Sequence, residues 1–274
     1  MNSKICFIGG GNMASSLVGG LINNAYNAEL ITVTDPDQNK LDHLAQQFSI
    51  NITTNNQTAV QSADVIVLAV KPQVLADVCK NIKDTLQGRP VLIISIAAGI
   101  RSTDIDRWLG NNNAIVRCMP NTPSLIQAGA TGLYANTQAN KQQKEMAEQI
   151  LAAAGITLWV EDEALLDAVT AVSGSGPAYF FLFMEAMQRA GSQLGLDEKT
   201  AGLLAKQTAL GAARMALEGE DEPATLRAKV TSKGGTTAAA IASFEANNFD
   251  EIIQQALTSA RDRAIELADE LGKQ

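Results

Sequence analysis

Three small residues near the N-terminus, Gly9, Gly11 and Ala14, are spaced as G-x-G-x-x-A. They follow an apolar run, KICFI, that predicts a strand, and they open a segment with helical spacing. In such a turn the first glycine allows a tight bend, the second lets the backbone approach a pyrophosphate, and the third small residue lets helix and strand pack closely. N–H groups at the helix N-terminus would bind the negative charge. The pattern predicts a dinucleotide site, although a structural glycine-rich turn or another nucleotide ligand would share it.

The second predicted strand, LITVT, ends at Asp35. An acidic side chain at this place accepts a hydrogen bond from a ribose 2′-hydroxyl and repels a 2′-phosphate, which favours NADH. Asp35 also precedes Pro36, so an exposed turn residue would fit equally, and Thr34 and Lys40 are close enough along the chain to assist a phosphate. These residues leave the choice between NADH and NADPH open.

Two later strand ends carry further candidates for ligand contacts. Lys71 stands in AVKPQ, at the carboxyl end of the third predicted strand, where ligands bind in doubly wound sheets. A surface lysine beside a loop proline would fit the same sequence. In SIAAGI, the small residues Ala97, Ala98 and Gly99 leave room for a flat ring against the backbone.

Two glycine-rich stretches lie further along the chain. In SGSGPAYFFL, Pro177 suits the first position of a helix and Ser175 or Gly176 can serve as its cap, so a plain loop and a ligand contact surface both stay open. In VTSKGGTTAAAIASF, which resembles a helix N-terminus, the N–H groups of residues 234–236 could receive a carboxylate, or the segment is a capped Gly-Gly turn. The acidic Glu220 is better explained by a solvated loop.

The elements that would position these residues differ between the two halves of the chain. Six β-branched runs predict strands without strict alternation, with helical segments between them near 12–23, 37–47, 73–86, 102–109 and 138–154. The runs are KICFI, LITVT, VIVLAV, VLIISI, AIVRC and GITLWV. Beyond residue 161 the pattern is Ala-, Leu- and Met-rich with helical spacing. We therefore predict a doubly wound, mostly parallel α/β domain over residues 1–160 and an all-α domain over 161–274.

Composition excludes several classes of protein. The 274 residues carry a net charge of −8 with no basic cluster, which argues against nucleic-acid binding. The longest apolar runs are too short to span a membrane, and the N-terminus does not resemble a signal peptide, so we expect a cytoplasmic protein. The three cysteines lack a C-x-x-C pair and the one histidine, His43, lies on an ordinary helical segment, so neither a metal site nor a histidine-based acid–base scheme is predicted.

Six motifs occur in an order and spacing that resemble Δ1-pyrroline-5-carboxylate reductases over essentially the whole chain. They are FIGGGNMA, AVKPQ, SIAAGI, RCMPNTP, DAVTAVSGSGPAYFF and VTSKGGTT. The resemblance implies a Rossmann domain followed by a helical domain that forms a homodimer, with dimers sometimes joined into larger rings. It also implies reduction of L-1-pyrroline-5-carboxylate to L-proline with NADPH or NADH.

The resemblance also assigns roles to individual residues. The expected cofactor-binding residues are Ile8, Gly9, Gly10, Gly11, Asn12, Met13, Ala14, Asp35, Asp37, Asn56, Ala69, Val70, Lys71, Pro72, Ile96, Ala97 and Ala98. The expected substrate-binding residues are Glu163, Ser175, Gly176, Ser232, Gly234, Gly235, Thr236 and Thr237. Thr237, placed to hydrogen-bond the ring nitrogen, and Lys71 are the candidate catalytic residues, and no metal is expected.

Two positions depart from the family pattern. Asp35 stands where members often carry a small hydroxyl residue, and Lys233 replaces the proline of the usual S-P-G-G-T segment. Asp35 therefore bears on the cofactor preference, and Lys233 could loosen the turn or add a positive charge near a carboxylate.

The chemistry of a cyclic imine fits the lack of a useful histidine. A protonated C=N bond is already electrophilic, so hydride addition needs orientation more than a strong general acid. The alternatives are another imine or 3-hydroxyacid reductase on the same scaffold, or a nucleotide-sensing protein without catalysis. The segment AYFFLFMEAMQR lacks the lysine that hydroxyacid dehydrogenases of similar layout carry there.

Overall fold

The structure is a computed structural model and describes residues 2–273. Eight strands form one sheet in the order β3-β2-β1-β4-β5-β6-β7-β8, and every neighbouring pair is parallel except β6 and β7. The strands are β1 (Ile5–Ile8), β2 (Ile31–Thr34), β3 (Asn51–Thr53), β4 (Val65–Leu68), β5 (Leu92–Ser95), β6 (Ala114–Met119), β7 (Gly129–Ala135) and β8 (Gly155–Trp159). This confirms the predicted mostly parallel sheet.

Helices alternate with the strands up to β6 and then dominate the second half of the chain. Those of the first part are α1 (Asn12–Asn23), α2 (Gln38–Phe48), α3 (Asn56–Val60), α4 (Pro72–Leu86), α5 (Ser102–Leu109) and α6 (Lys141–Ala152). Those of the second part are α7 (Leu165–Val169), α8 (Gly176–Gln193), α9 (Glu198–Glu218), α10 (Pro223–Lys229), α11 (Thr236–Ala246) and α12 (Phe249–Leu271). None of the helices within residues 2–273 has the length and apolar content needed to cross a membrane.

Helices cover the sheet on both faces, which explains why its strands do not alternate in polarity. Ile5 and Phe7 of β1 pack into one apolar cluster, whereas Cys6 and Ile8 pack into the other. All four side chains are at most 1% exposed. A strand buried on both faces reads as a continuous apolar run, as KICFI does.

The described chain forms two compact units. One runs up to Ser175 and includes the segment from Ser259 onward, and the other is Gly176–Thr258. The domain limits 1–160 and 161–274 stay a prediction, and their outer residues, 1 and 274, lie outside the described residues. The helical character of the second part is confirmed, with α10 as a helix that the sequence pattern did not indicate.

Candidate active site

The turn between β1 and α1 requires a glycine at its first position. Gly9 has φ +107°, and its N–H donates to the carbonyl oxygen of Thr34 over 2.7 Å. A Cβ built on Gly9 would lie 2.5 Å from the carbonyl oxygen of Ala69. The packing of β1 against its two neighbours β2 and β4 therefore requires glycine at position 9.

The second glycine of the motif, Gly11, has different surroundings. A Cβ on Gly11 would meet no atom of the described residues within 4 Å. Helix α1 begins at Asn12, so the N–H groups of its first turn have no acceptor within the helix, and Gly11 has no side chain to cap them. Ala14, one turn in, is buried at 1% exposure. This open, positively polarised helix end suits a pyrophosphate, so the residues present fit a dinucleotide cofactor.

Asp35 is tied to the same turn. One carboxylate oxygen, Oδ2, accepts the N–H of Gly10 over 2.9 Å, and the other, Oδ1, accepts the N–H of Asp37 over 3.0 Å. The ammonium of Lys40 lies 3.6 Å from Oδ1. With an exposure of 8%, Asp35 is buried, so the exposed-turn alternative is wrong.

The remaining predicted cofactor residues follow the carboxyl ends of β3, β4 and β5. Asn56 opens α3, and its side-chain oxygen accepts the hydroxyl of Thr34. After β4, the N–H of Ala69 donates to Ile8, and Lys71 is exposed directly before α4. After β5, the N–H of Ile96 donates to Leu68. The structure thus brings the cofactor candidates together along the edge where strands β1 to β5 end.

Glu163, expected near the substrate, is held by residues of its own unit. Both of its oxygens accept hydrogen bonds from Ser102, one from the N–H and one from the hydroxyl, each over 2.6 Å. Its Oε1 also accepts from Arg117 Nη1 over 3.2 Å. Ser102 is the first residue of α5, so Glu163 caps that helix from a distance of 61 residues along the chain.

Arg117 and Asp167 complete this buried cluster. Arg117 is 4% exposed, and its Nη2 lies 3.9 Å from Asp167 Oδ1, within ion-pair range but too far for a hydrogen bond. Burial raises the pKa of Asp167, although the charge of Arg117 acts in the opposite direction. Together with Glu163, these groups line a cavity of about 250 Å³.

A π-helical turn over Thr170–Gly174 follows α7 and contains the first two residues of the segment SGSGPAYFFL. The N–H of Ser175 donates to the carbonyl oxygen of Thr170 over 2.8 Å, and α8 begins at Gly176. A Cβ on Gly174 would lie 2.5 Å from the terminal methyl of Met119. The first of the two glycines therefore serves packing against β6. A Cβ on Gly176 would instead meet no described atom within 4 Å, which leaves room for a ligand.

The other expected substrate segment lies in the helical unit and is built as a helix N-terminus. Gly234 has φ +73°, and the N–H of Gly235 donates to the carbonyl oxygen of Ser232 over 3.0 Å. Helix α11 begins at Thr236, with Gly235 in the capping position and therefore no capping side chain. Thr237, in the first turn, is half-buried. This geometry leaves the first N–H groups of α11 able to receive a carboxylate.

Sequence reasoning missed three residues that hold the site in shape: Ser102, Arg117 and Asn121. Asn121 donates through Nδ2 to the carbonyl oxygen of Ser173 over 3.0 Å and accepts the N–H of Ala130 over 2.9 Å. Arg117 had a visible signal, since it interrupts the apolar run AIVRCM of a buried strand. Ser102 had none, because its partner is distant along the chain.

No group of three or more His, Cys, Asp or Glu side chains within the part of the chain that the structure describes is arranged to hold a metal ion. All three cysteines are buried and free, and burial raises the pKa of both Cys6 and Cys79 to about 12. Such thiols stay protonated at neutral pH and are poor nucleophiles.

Comparisons with known proteins agree over both halves of the chain. Residues 163–267 match the family model for pyrroline-5-carboxylate reductase dimerisation, and residues 4–99 match that for coenzyme F420-dependent NADP oxidoreductase. The chain is 53% identical to a pyrroline-5-carboxylate reductase of Pseudomonas aeruginosa over 98% of each protein, and 46% identical to one of Pasteurella multocida over 95% of this chain and 96% of that one.

Solved structures give the same result. The chain is similar to a pyrroline-5-carboxylate reductase of Coxiella burnetii, with a TM-score of 0.95 and 49% identity over 98% of this chain and 99% of that one. It is also similar to a pyrroline carboxylate reductase of Plasmodium falciparum solved with NADP bound, with a TM-score of 0.85 and 31% identity over 97% and 98% of the two chains.

Proposed function

The chain belongs to the pyrroline-5-carboxylate reductase family, and we propose that the turn around Gly11 and the adjoining strand ends hold its nicotinamide cofactor. The protein is an NAD(P)H-dependent oxidoreductase that reduces L-1-pyrroline-5-carboxylate to L-proline, the last step of proline biosynthesis. Of the observations on this chain, the open N-terminus of α1 supports the proposed cofactor site most strongly.

We assign the cofactor to the residues along the carboxyl edge of β1 to β5. The N–H groups that open α1 bind the pyrophosphate, and Gly9 and Gly10 shape the turn that presents them. Asp35, Asp37 and Asn56 adjoin the adenosine ribose, and the segments 69–72 and 96–98 adjoin the nicotinamide half. When bound, the reduced nicotinamide supplies a hydride.

We assign the substrate carboxylate to the N-terminus of α11. The N–H groups after Gly235 bind the carboxylate, and Thr237 hydrogen-bonds the ring nitrogen so that the C=N carbon is held in one orientation. Lys71, exposed beside the cofactor segment, is the second candidate catalytic residue. Ser175 and Gly176 are proposed as further substrate contacts, and so is Glu163, although both of its oxygens are engaged by Ser102.

The imine itself explains why these groups suffice. Once protonated, the C=N bond carries a positive charge that hydride addition cancels, so no alkoxide develops and no strong acid is required. The chain's task is to orient the ring and exclude competing reactions, which small backbone groups and one hydroxyl can do.

The match of residues 163–267 to the dimerisation family model supports a homodimer formed through the helical unit. Phe180, Phe181 and Leu182 on α8 are 59–65% exposed in the single chain, which is unusual for a stretch of large apolar residues. We extend the proposal to a ring of dimers, as the resemblance implies, and to a cytoplasmic location, which the buried free cysteines support. Sedimentation velocity over a range of protein concentrations distinguishes the dimer from a ring.

One experiment tests the proposed function directly. Purified protein is mixed with L-1-pyrroline-5-carboxylate and either NADPH or NADH, and the loss of absorbance at the reduced-nicotinamide band is followed. A six-membered cyclic imine and several 3-oxoacids, the oxidised partners of 3-hydroxyacids, serve as comparison substrates because each can accept a hydride. We expect the fastest turnover with pyrroline-5-carboxylate. Faster turnover of another substrate, or cofactor binding without turnover, would replace this proposal with one of the alternatives.

A further inference from the structure

Lys40 is the one positive side chain in the segments that follow the first three strands. In residues 9–15, 35–41 and 54–58, which carry the chain from β1, β2 and β3 into the next helices, the only lysine or arginine is Lys40. The acidic residues of these segments are Asp35 and Asp37. Any extra negative charge on a ligand bound here meets two carboxylates and a single ammonium.

The two charged partners Asp35 and Lys40 are held very differently. Asp35 is buried and fixed by two backbone N–H groups, those of Gly10 and Asp37. The side chain of Lys40 is 53% exposed, and its ammonium lies 3.6 Å from Asp35 Oδ1, beyond hydrogen-bond distance. A contact whose ammonium is exposed and lies beyond hydrogen-bond distance contributes little stability, so the ammonium can leave the carboxylate readily. The carboxylate, held by two backbone N–H groups, cannot leave the turn.

This asymmetry bears on the difference between the two nicotinamide cofactors. The end of β2 is where Rossmann proteins contact the adenosine ribose. A 2′-hydroxyl needs an acceptor, which Asp35 supplies without moving. A 2′-phosphate carries nearly two negative charges and needs a cation. Moving Asp35 away from the phosphate would break its hydrogen bond with the N–H of Gly10.

We propose that Lys40 is the residue that lets this chain accept the 2′-phosphate of NADPH, while Asp35, anchored on Gly10, keeps the site able to bind NADH. Lys40 exchanges its loose contact with Asp35 for the phosphate, and Asp35 stays in place with either cofactor. This inference rests on the proposed cofactor site and adds to it the residue that sets cofactor selectivity.

The test measures binding as well as turnover. Dissociation constants are determined by calorimetry for NADPH and NADH, and for the fragments 2′,5′-ADP and ADP, which differ in the 2′-phosphate. The variants are Lys40→Gln, Lys40→Arg and Asp35→Asn, with Lys144→Gln as a control because Lys144 is an exposed lysine on α6, outside these three segments of the chain. Because a hydrogen bond to a charged group is lost, Lys40→Gln should weaken the binding of NADPH and of 2′,5′-ADP by about tenfold.

The other variants complete the expected pattern. In Lys40→Gln the dissociation constants of NADH and ADP should change by less than about twofold. Lys40→Arg should retain NADPH binding. Asp35→Asn should shift selectivity towards NADPH. The effect of Lys40→Gln should shrink as salt is added, because the lysine is exposed. Equal weakening of both cofactors, or no change in either, would overturn the inference.

The proposed cofactor site is checked separately with Gly11→Val. If Gly11→Val binds neither NADH nor NADPH, while Lys40→Gln weakens the binding of both cofactors equally or of neither, the inference fails and the proposed cofactor site stands. If Gly11→Val binds both cofactors normally, the site assignment itself is wrong, and the inference about Lys40 is wrong with it.

Discussion

Glu163 and Ser102 are joined by two hydrogen bonds of 2.6 Å, so that the carboxylate caps α5 through both the N–H and the hydroxyl of its first residue. The same carboxylate pairs with Arg117, which is almost completely buried. The segment Ile96–Ala98, a proposed cofactor contact, lies only four to six residues before Ser102. Glu163 is therefore in a position to support the site through the chain that leads into α5.

Replacing Glu163 by alanine should destabilise the fold. The change leaves the buried Arg117 with only the weaker Asp167 contact and removes a helix cap, which should lower the free energy of unfolding by about 3 kcal/mol. Urea unfolding of the wild type and the variant measures this difference. Glu161→Ala, an exposed site two residues earlier, is the control and should change little. A raised KM for pyrroline-5-carboxylate with unchanged unfolding would instead support a direct substrate contact.

The proposed cofactor turn between β1 and α1 could be predicted from the sequence because the residues that indicate it are close together along the chain. Gly9, Gly11 and Ala14 are separated by two or three residues, and strand and helix patterns flank them, so the turn and its use could be inferred together. The cap on α5 could not be inferred, since nothing near Ser102 or Glu163 in sequence indicates that the two meet. Interactions that depend on tertiary packing leave no such pattern in one sequence.

Strand β7 shows another limit of pattern reasoning. Its sequence, GATGLYA, is rich in small residues and was not predicted as a strand. The structure shows the reason for one of its glycines, since a Cβ on Gly132 would lie 2.7 Å from a methyl group of Val169. A β-branched side chain therefore does not fit at this position, and β7 lacks there the pattern that identifies other strands.

The buried carboxyl of Asp167 should make stability depend on pH. Burial raises its pKa above the ordinary value of 3.8, so the folded chain holds the proton more tightly than the unfolded chain does. The stability contributed by this group is therefore present below pH 3.8 and is lost as the pH rises through the folded-state pKa. Asp167→Asn removes the titration.

Urea unfolding across the acidic to neutral range checks this. The wild type should lose stability relative to Asp167→Asn as the pH rises. Asp77→Asn, at an exposed position on α4, should run parallel to the wild type. A difference between wild type and Asp167→Asn that stays constant with pH would contradict the expectation.

Substitution of Gly9 should reduce stability, whereas substitution of Gly11 should remove cofactor binding. Gly9→Ala places a side chain at positive φ against a neighbouring carbonyl group and should lower the free energy of unfolding by about 2 kcal/mol. Gly11→Val enters open space at an extended backbone position, so unfolding should change by no more than about 1 kcal/mol while cofactor binding is abolished. Unfolding curves and calorimetric titration with NADPH and NADH separate the two effects. Normal cofactor binding by Gly11→Val would show that the cofactor site is assigned wrongly.

Thr237→Ala should reduce turnover without unfolding the chain. Thr237 is half-buried in the first turn of α11, and the proposed hydrogen bond joins its hydroxyl to the cationic ring nitrogen. Loss of a hydrogen bond to a charged group should lower kcat by about 10- to 100-fold. Cofactor dissociation constants should stay close to those of the wild type, because the residue is assigned to the substrate alone.

Two further variants decide whether the hydroxyl is responsible. Thr237→Ser keeps the hydroxyl and should recover most of kcat, whereas Thr137→Ala, at an exposed turn before α6, should behave like the wild type. If Thr237→Ser is as slow as Thr237→Ala, the methyl group and its packing matter and the hydroxyl does not. In that case the N–H groups of α11 would have to hold the substrate through its carboxylate alone, and orientation of the C=N carbon would need another source.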